Sequence, residues 1–200
     1  MINVAIIDIG VGNLNSIFNA INKIGCKPKI VSNPSEIIDF DVTILPGVGS
    51  FGYAMSNIDR FGFHDCLNDF IQSGRTFIGI CLGMQLLFDS SAESPNVKGL
   101  SLIEGEVLPL PNNHLHPIPH IGWNNVSSKN VFFDEFEHDF YFLHSFYCKP
   151  SDNNLCVLSV DYPDSFCAAV MKENIYGFQF HPEKSQSVGL SLLNKVICGA

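Results

Sequence analysis

The sequence predicts an α/β fold in which helices cover both faces of a doubly wound, mostly parallel sheet that also carries antiparallel strands. Strand-like and helix-like patterns alternate over residues 1–90, and the early strands are continuously apolar, as parallel strands buried on both faces are. Beyond residue 102, short extended segments follow one another, and a tight turn joins the last two, which is typical of antiparallel strands. We expect one domain over residues 1–200.

The composition argues against several classes of protein. The net charge is −9 with only eleven lysines and arginines, so we expect no nucleic-acid partner. No apolar run approaches the ~20 residues that span a bilayer, and residues 1–8 resemble a buried strand rather than a signal peptide. The seven cysteines include no C-x-x-C pair, which argues against a zinc site or a disulfide framework and favours a cytoplasmic location.

The first strand is predicted at residues 2–9, and the first helix ends at Gly25, a residue type that commonly caps helices. The glycine-rich turn at residues 10–13 superficially matches a dinucleotide-binding loop. That interpretation fails because Asn15 occupies the third glycine position and the second strand, residues 29–32, ends without an acid for a ribose. The apolar face of the helix comprises Leu14, Ile17, Phe18, Ile21 and Ile24.

The third strand, residues 41–45, leads into a loop that contains three chain-breaking residues, Pro46, Gly47 and Gly49. A backbone of this kind can approach a ligand closely, and the carboxyl ends of parallel strands carry the sites of doubly wound sheets. The loop is therefore a candidate binding element, with an ordinary turn as the alternative. A helix at residues 65–73 follows.

The pattern that says most about function lies at residues 77–85. An apolar strand ends at Cys81 between Gly79 and Gly83, and the apolar residues 84 and 86–88 are spaced like the buried face of a helix. This strand–turn–helix pattern is typical of a nucleophile elbow. The N-terminus of the helix would favour the thiolate form of the cysteine. The alternative is a small buried cysteine in a turn.

The second half of the chain is predicted to form short strands and a final helix. A proline-rich turn, residues 109–117, separates the first two strands, and a tight turn at residues 172–174 joins the last two. The final helix begins near Ser187. The strands are expected at residues 103–108, 118–124, 140–144, 155–160, 166–170 and 175–180.

The last strand ends in a second chemical motif, Phe-His-Pro-Glu at residues 180–183. Extended backbone places His181 and Glu183 on the same face. A histidine base oriented by a carboxylate is what a cysteine nucleophile needs for acyl transfer. Alone, the histidine could simply cap a strand end, but the combination with Cys81 favours catalysis. The developing oxyanion needs donors, for which the N–H of Leu82 and the preceding glycine-rich loop are candidates.

Five motifs, in order and spread over essentially the whole chain, resemble those of the class I, or triad, glutamine amidotransferases. Within that family they are most similar to the glutaminase subunits of imidazole glycerol phosphate synthase. The resemblance implies the flavodoxin-like fold of the family. The motifs are Pro-Gly-Val-Gly at residues 46–49, Gly-Ile-Cys-Leu-Gly-Met-Gln at 79–85, Pro-His-Ile-Gly-Trp-Asn at 119–124, Tyr-Phe-Leu-His-Ser at 141–145 and Phe-His-Pro-Glu-Lys-Ser at 180–185.

The resemblance assigns roles to individual residues. It implies that Cys81 is the nucleophile, His181 the general acid and base, and Glu183 the orienting carboxylate. It implies an oxyanion hole at the N–H groups of Val48 and Leu82. The glutamine contacts that it implies are Gly47, Gly49, Gln85, His144 and Ser145, and the residues facing a partner are Asn13, Trp123, Tyr141 and Lys184.

The implied activity is hydrolysis of glutamine to glutamate through a thioester on Cys81, without a cofactor. The ammonia would pass to a cyclase subunit with a (β/α)₈ barrel, in a heterodimer that makes imidazole glycerol phosphate for histidine biosynthesis. One departure from the family pattern is Phe146, where tyrosine is common, and it leaves the triad intact.

Three alternatives remain open from the sequence. A paralogous glutaminase would supply ammonia to an enzyme that converts sugar acetamido groups to acetamidino groups in surface polysaccharides. A stand-alone γ-glutamyl hydrolase would use the same triad. A flavodoxin-like binding module with a vestigial site would leave Cys81 with ordinary reactivity. His120 and His144 lack the regular spacing of metal ligands, so we expect them to be structural and expect no metal site.

Overall fold

The computed structural model describes residues 1–111 and 116–199. Part of the predicted proline-rich turn, residues 112–115, lies outside the described residues. The helices are α1 (Leu14–Lys23), α2 (Phe51–Phe61), α3 (Phe63–Gln72), α4 (Leu82–Gln85) and α5 (Gln186–Cys198). The strands are β1 (Asn3–Ile7), β2 (Lys27–Val31), β3 (Val42–Gly47), β4 (Thr76–Cys81), β5 (Phe88–Ser91), β6 (Ile103–Pro109), β7 (His120–Ser128), β8 (Asp139–His144), β9 (Phe146–Pro150), β10 (Cys156–Asp161), β11 (Ser165–Lys172) and β12 (Ile175–Phe178).

The parallel half of the sheet has the strand order β2-β1-β3-β4-β12. Its central strands are buried on both faces, which explains their continuous apolar sequences. The register places Gly47, at the end of β3, directly opposite Cys81, at the end of β4. The glycine-rich loop and the candidate nucleophile therefore emerge side by side at the carboxyl edge, where doubly wound sheets bind their ligands.

Helices cover both faces of this half. Alternate residues of β1 belong to different cores: Val4 and Ile6 pack with α1 and α5, whereas Ala5 and Ile7 pack with α2 and α3. The predicted apolar face of α1 is confirmed, with Ile17 and Ala20–Ile21 buried. The doubly wound prediction is therefore confirmed. The buried residues of α2 and α3 are Phe51, Ala54, Met55, Asn57, Ile58, Phe63, Leu67, Phe70 and Ile71.

Antiparallel strands extend the sheet beyond β12 in the order β11, β10, β7 and β8. The predicted hairpin is confirmed, because Lys172 pairs with Ile175 and leaves Glu173 and Asn174 as the turn. Strands β5, β6 and β9 form a ribbon that joins the sheet at β11. This extension brings β8 and its following residues next to the end of β12, where the Phe-His-Pro-Glu motif begins.

The structure corrects the predicted helix after Cys81. The α4 helix is a single turn, Leu82–Gln85, and Phe88 begins strand β5. The carbonyls of Leu86 and Leu87, which a longer helix would use, instead accept backbone hydrogen bonds from residues 100, 102 and 103. The segment is buried on all sides, so its apolar residues do not mark one helical face. A helix dipole over one turn contributes little to the thiolate.

Other boundaries differ by a few residues, and two elements besides β5 were not predicted. The sequence pattern missed α2 and β9, and the final strand ends at Phe178 rather than at residue 180. The α2 helix is marked by its caps: the Ser50 side chain accepts a hydrogen bond from Tyr53 N, and Gly62 adopts a left-handed conformation at the other end. Among the described residues, no helix has both the length and the apolar character needed to cross a membrane.

Candidate active site

Cys81 occupies a strained turn between β4 and α4. Its φ of 55° and ψ of −109° are unusual for a residue with a side chain, and strain of this kind is characteristic of a nucleophile elbow. Glycine is required on both sides by close backbone contacts. A Cβ at Gly79 would lie 2.6 Å from the carbonyl oxygen of Gly83, and a Cβ at Gly83 would lie 1.8 Å from that of Leu45.

His181 and Glu183 form a buried pair immediately after β12. The Nδ1 of His181 lies 2.8 Å from Oε1 of Glu183, and their side chains are 4% and 1% exposed. Two hydrogen bonds fix the backbone of His181. Its backbone N–H donates to Tyr141 O at 2.8 Å, and its backbone carbonyl accepts from Ser185 Oγ at 2.7 Å. The carboxylate therefore holds the ring with Nε2 free to exchange a proton with another group.

The pKa of His181 indicates that the group that exchanges this proton is the Cys81 thiol. Burial lowers this pKa, but the Cys81 sulfur and the Glu183 carboxylate outweigh burial and raise the pKa from 6.5 to about 10. Its Nε2 is buried and has no hydrogen-bond partner within residues 1–111 and 116–199. The sulfur and the carboxylate thus favour the protonated ring, so His181 can take up the thiol proton of Cys81 and support a reactive thiolate.

A cavity of about 280 Å³ opens beside Cys81. This volume lies near the lower end for small-molecule sites and suits a ligand the size of an amino acid. Of the residues predicted to hold glutamine or its oxyanion, Gly47 alone does not line the cavity. Gly47 instead packs closely against Leu82, whose Cβ would lie 2.9 Å from a Cβ at this glycine. The cavity is lined by Val48, Gly49, Cys81, Leu82, Gln85, Glu93, Pro119, Leu143, His144, Ser145 and Phe146.

Both ring nitrogens of His144 are engaged inside the protein. Nδ1 lies 2.8 Å from Phe146 O, and Nε2 lies 3.0 Å from Nδ1 of His120. A carbonyl only accepts, so His144 carries its proton on Nδ1 and accepts at Nε2 from the N–H of His120. Burial lowers the pKa of both rings from 6.5, to about 3 for His144 and about 4 for His120. Both are neutral structural histidines, and the imidazole of His144 has no free nitrogen for a substrate.

Glu93 is a cavity residue that the sequence patterns did not indicate. It lies in the irregular segment after β5 and is half-buried. Its Oε2 accepts a hydrogen bond from Phe51 N at 2.6 Å. The segment has no periodicity or motif that would distinguish this carboxylate from a surface one. Among the cavity-lining residues, Glu93 is the only one with a carboxylate.

Three of the four predicted partner-facing residues cluster beside the triad. The rings of Trp123 and Tyr141 meet edge to face with centroids 6.0 Å apart, and Lys184 Nζ lies 5.7 Å from the Tyr141 ring centroid. The Tyr141 ring is itself 6.5 Å from that of His181. Trp123 remains 47% exposed, which is typical of an aromatic residue available to a partner.

The fourth, Asn13, belongs to a different element, helix α1. It is exposed at the start of α1, and its side chain caps the helix by accepting a hydrogen bond from Ser16 N at 3.3 Å. A groove lined by Ser16, Lys184 and Glu183 runs between α1 and the start of α5. Asn13 therefore has a structural role of its own, on the helix that forms one wall of this groove.

Comparison with known proteins agrees with this geometry. The family model described as glutamine amidotransferase class-I matches residues 5–197. The "imidazole glycerol phosphate synthase subunit HisH" of Geobacter metallireducens is 43% identical, with 96% of each chain covered. The same-named protein of Methanopyrus kandleri is 42% identical, with 98% of each covered. The "imidazole glycerol phosphate synthase hisHF, chloroplastic" of Arabidopsis thaliana is 41% identical over 97% of this chain but only 34% of its own length.

Solved structures agree on the fold. A crystal structure titled as a glutamine amidotransferase superposes with a TM-score of 0.76 at 15% identity, over 98% of this chain and 99% of the other. The PurLQS structure from Thermotoga maritima superposes with a TM-score of 0.78 at 19% identity, over 100% and 99%. At these identities the likeness concerns the fold alone, whereas the family match rests on sequence over nearly the whole chain. The chain belongs to the class I glutamine amidotransferase family.

Proposed function

We propose that this chain is the glutaminase subunit of an imidazole glycerol phosphate synthase, releasing ammonia from glutamine for use by a cyclase subunit. The observation that carries the proposal is the meeting of Cys81 with the buried His181–Glu183 pair beside a cavity of amino-acid size. The full-length relatives named as HisH subunits support the choice of this enzyme within the family.

The proposed reaction has two halves. His181 takes the proton of Cys81, and the sulfur attacks the side-chain amide carbon of glutamine to form a tetrahedral oxyanion. The oxyanion then collapses and the C–N bond breaks as His181 gives the proton to the nitrogen, which leaves as ammonia, while the γ-glutamyl group stays on the Cys81 sulfur as a thioester. In the second half, His181 takes a proton from water as the oxygen attacks the thioester carbon. The C–S bond then breaks, glutamate leaves, and His181 returns the proton to the Cys81 sulfur. Glu183 keeps the imidazole oriented throughout.

The cavity supplies candidates for binding the substrate. The amides of Val48 and Leu82 lie on the two chain segments beside Cys81 and are the proposed oxyanion donors. Gln85 and the backbone around Ser145 are the proposed contacts for the polar ends of glutamine. Glu93 is the proposed partner of the α-ammonium group, since its carboxylate lines the cavity.

The partner proposed is a cyclase with a (β/α)₈ barrel, bound as a heterodimer in the cytoplasm. The names of the relatives describe a subunit, and the longer hisHF chain joins a segment similar to this one to further sequence. We assign the docking face to the aromatic cluster of Trp123 and Tyr141, with Lys184 beside it, because Trp123 is exposed and the cluster lies next to the triad. Asn13 would extend this face.

The proposal is tested by comparing Cys81→Ala with the wild type in the assembled enzyme. The variant should lose glutamine-dependent product formation, because no thioester forms, and should retain synthesis from added ammonium salt. Loss of both activities would contradict the proposal, since Cys81 would then serve the acceptor reaction or the fold. Glutamine hydrolysis by the wild type that is high alone and unaffected by the cyclase would also contradict it and indicate an independent hydrolase.

A further inference from the structure

Gln179 is a fully buried polar residue that lies between the nucleophile and the cavity wall. It immediately follows β12, two residues before His181, and has no exposed surface. Its Nε2 lies 3.8 Å from the Cys81 sulfur, and its Oε1 lies 3.2 Å from Nε2 of Gln85. A glutamine is costly to bury unless its amide is used, and neither the triad nor the cavity lining accounts for this one.

The neighbouring groups determine which way the Gln179 amide faces. The carbonyl of Phe146 can only accept, so Gln85 must present its NH₂ group there, at 3.1 Å. The second hydrogen of that NH₂ group is directed at Gln179, which must therefore offer its oxygen. The NH₂ group of Gln179 is left facing Cys81. The Phe146 carbonyl therefore fixes the orientation of both amides, so neither side chain can be flipped.

Cys81 consequently has different partners in its two protonation states. As a thiol, it can donate to Leu143 O, which lies 3.6 Å from the sulfur. As a thiolate, it has no proton to donate and would be repelled by that carbonyl, whereas the N–H of Gln179 can donate to it. A hydrogen bond to the charged form favours that form and lowers the pKa of the group that receives it.

We propose that Gln179 is a positioning residue that stabilises the Cys81 thiolate and couples it to Gln85 on the substrate side of the cavity. This inference rests on the proposed glutaminase function and deepens it. One hydrogen-bond chain, from Phe146 O through Gln85 and Gln179 to the sulfur, fixes both the nucleophile and the amide that faces the substrate. The residue acts in the first half-reaction, before the C–S bond forms, and is not itself a proton carrier.

The test replaces Gln179 with Met, which has a similar length and no N–H, and with Glu, which keeps the shape but replaces the donor with an acceptor. Alkylation of Cys81 by iodoacetamide is followed against pH in the full chain by mass spectrometry of the Cys81 peptide. The midpoint of alkylation should rise by about one pH unit in Gln179→Met and by more in Gln179→Glu. In the assembled enzyme at neutral pH, kcat with glutamine should fall by about tenfold or more, with a smaller change in KM. Gln72→Met, at the exposed end of α3, is the matched control and should change neither quantity.

An unchanged alkylation midpoint in folded Gln179→Met or Gln179→Glu overturns the inference, whatever happens to turnover, because a merely structural role would leave the thiolate unaffected. Folding is checked by circular dichroism, and the Glu variant gives the answer if the Met variant does not fold. Failure of the proposed glutaminase function would give a different result from failure of this inference: the wild type itself would show no glutamine turnover with the cyclase, and its Cys81 would alkylate like an ordinary thiol.

Discussion

Replacing His144 with asparagine should make the protein less sensitive to acid. The buried imidazole has a pKa lowered from 6.5 to about 3, so the folded protein keeps it neutral while the unfolded chain binds a proton below pH 6.5. Below pH 6.5 this proton uptake favours the unfolded chain, so the free energy of unfolding is unaffected by His144 above pH 6.5 and decreases as the pH falls towards 3. Between pH 7 and pH 5 the loss is about 2 kcal/mol, from 1.36 kcal/mol per pH unit below 6.5. Asparagine can keep the hydrogen bond to Phe146 O but cannot titrate.

The measurement is the free energy of unfolding by urea at pH 7, 6 and 5 for the wild type and His144→Asn. The variant should be less stable at pH 7, because His120 loses its acceptor, and should lose about 2 kcal/mol less than the wild type on acidification. Contributions of titrating groups that do not contact residue 144 largely cancel in this difference. Equal losses in the two proteins would refute the reasoning, since His144 would then titrate normally in the folded state.

Three further changes test the triad, the elbow and the docking face. Glu183→Gln should lower glutaminase kcat by about 10³-fold with little change in KM, because the amide no longer enforces the catalytic tautomer of His181, as steady-state kinetics would measure. Gly47→Ala should lower the free energy of unfolding by about 1–3 kcal/mol and reduce turnover, because the added Cβ meets the Leu82 Cβ at 2.9 Å; denaturation and kinetics would measure both. Trp123→Ala should weaken binding of the cyclase by about tenfold or more in calorimetry, without loss of folding.

The changes at Gly47 and Trp123 each have a control variant. Gly74→Ala adds the same methyl group where it has nothing within 4 Å, at a glycine with a φ of 78°, so it should strain the backbone locally and leave turnover unchanged. Phe61→Ala removes an exposed aromatic residue at the far end of α2 and should not alter cyclase binding. Full activity of Glu183→Gln would show that orientation of the imidazole is not limiting. Cyclase affinity lost equally in Trp123→Ala and Phe61→Ala would indicate a general effect on folding.

Much of the fold and the triad could be predicted because the relevant signals are local. Continuous apolar runs mark the parallel strands, and the Lys172–Ile175 turn marks a hairpin, since period and turn chemistry act over a few residues. Cys81 and His181 could be paired before the structure was known because each stands in a short motif with a specific chemical use. The one-turn length of α4 could not be predicted, because residues 99–103 decide it by taking the carbonyls that would continue the helix.

The sequence by itself determined the class of the fold, the family and the candidate catalytic residues. Only the tertiary structure decided how these residues are supported. Gln179 reaches Cys81 across 98 positions in the sequence, and His144 and His120 pair between neighbouring antiparallel strands. Glu93 enters the cavity from a segment without a motif. Such contacts depend on strand order and register, which bring together side chains that no local pattern relates, and burial then determines their hydrogen bonds and pKa values.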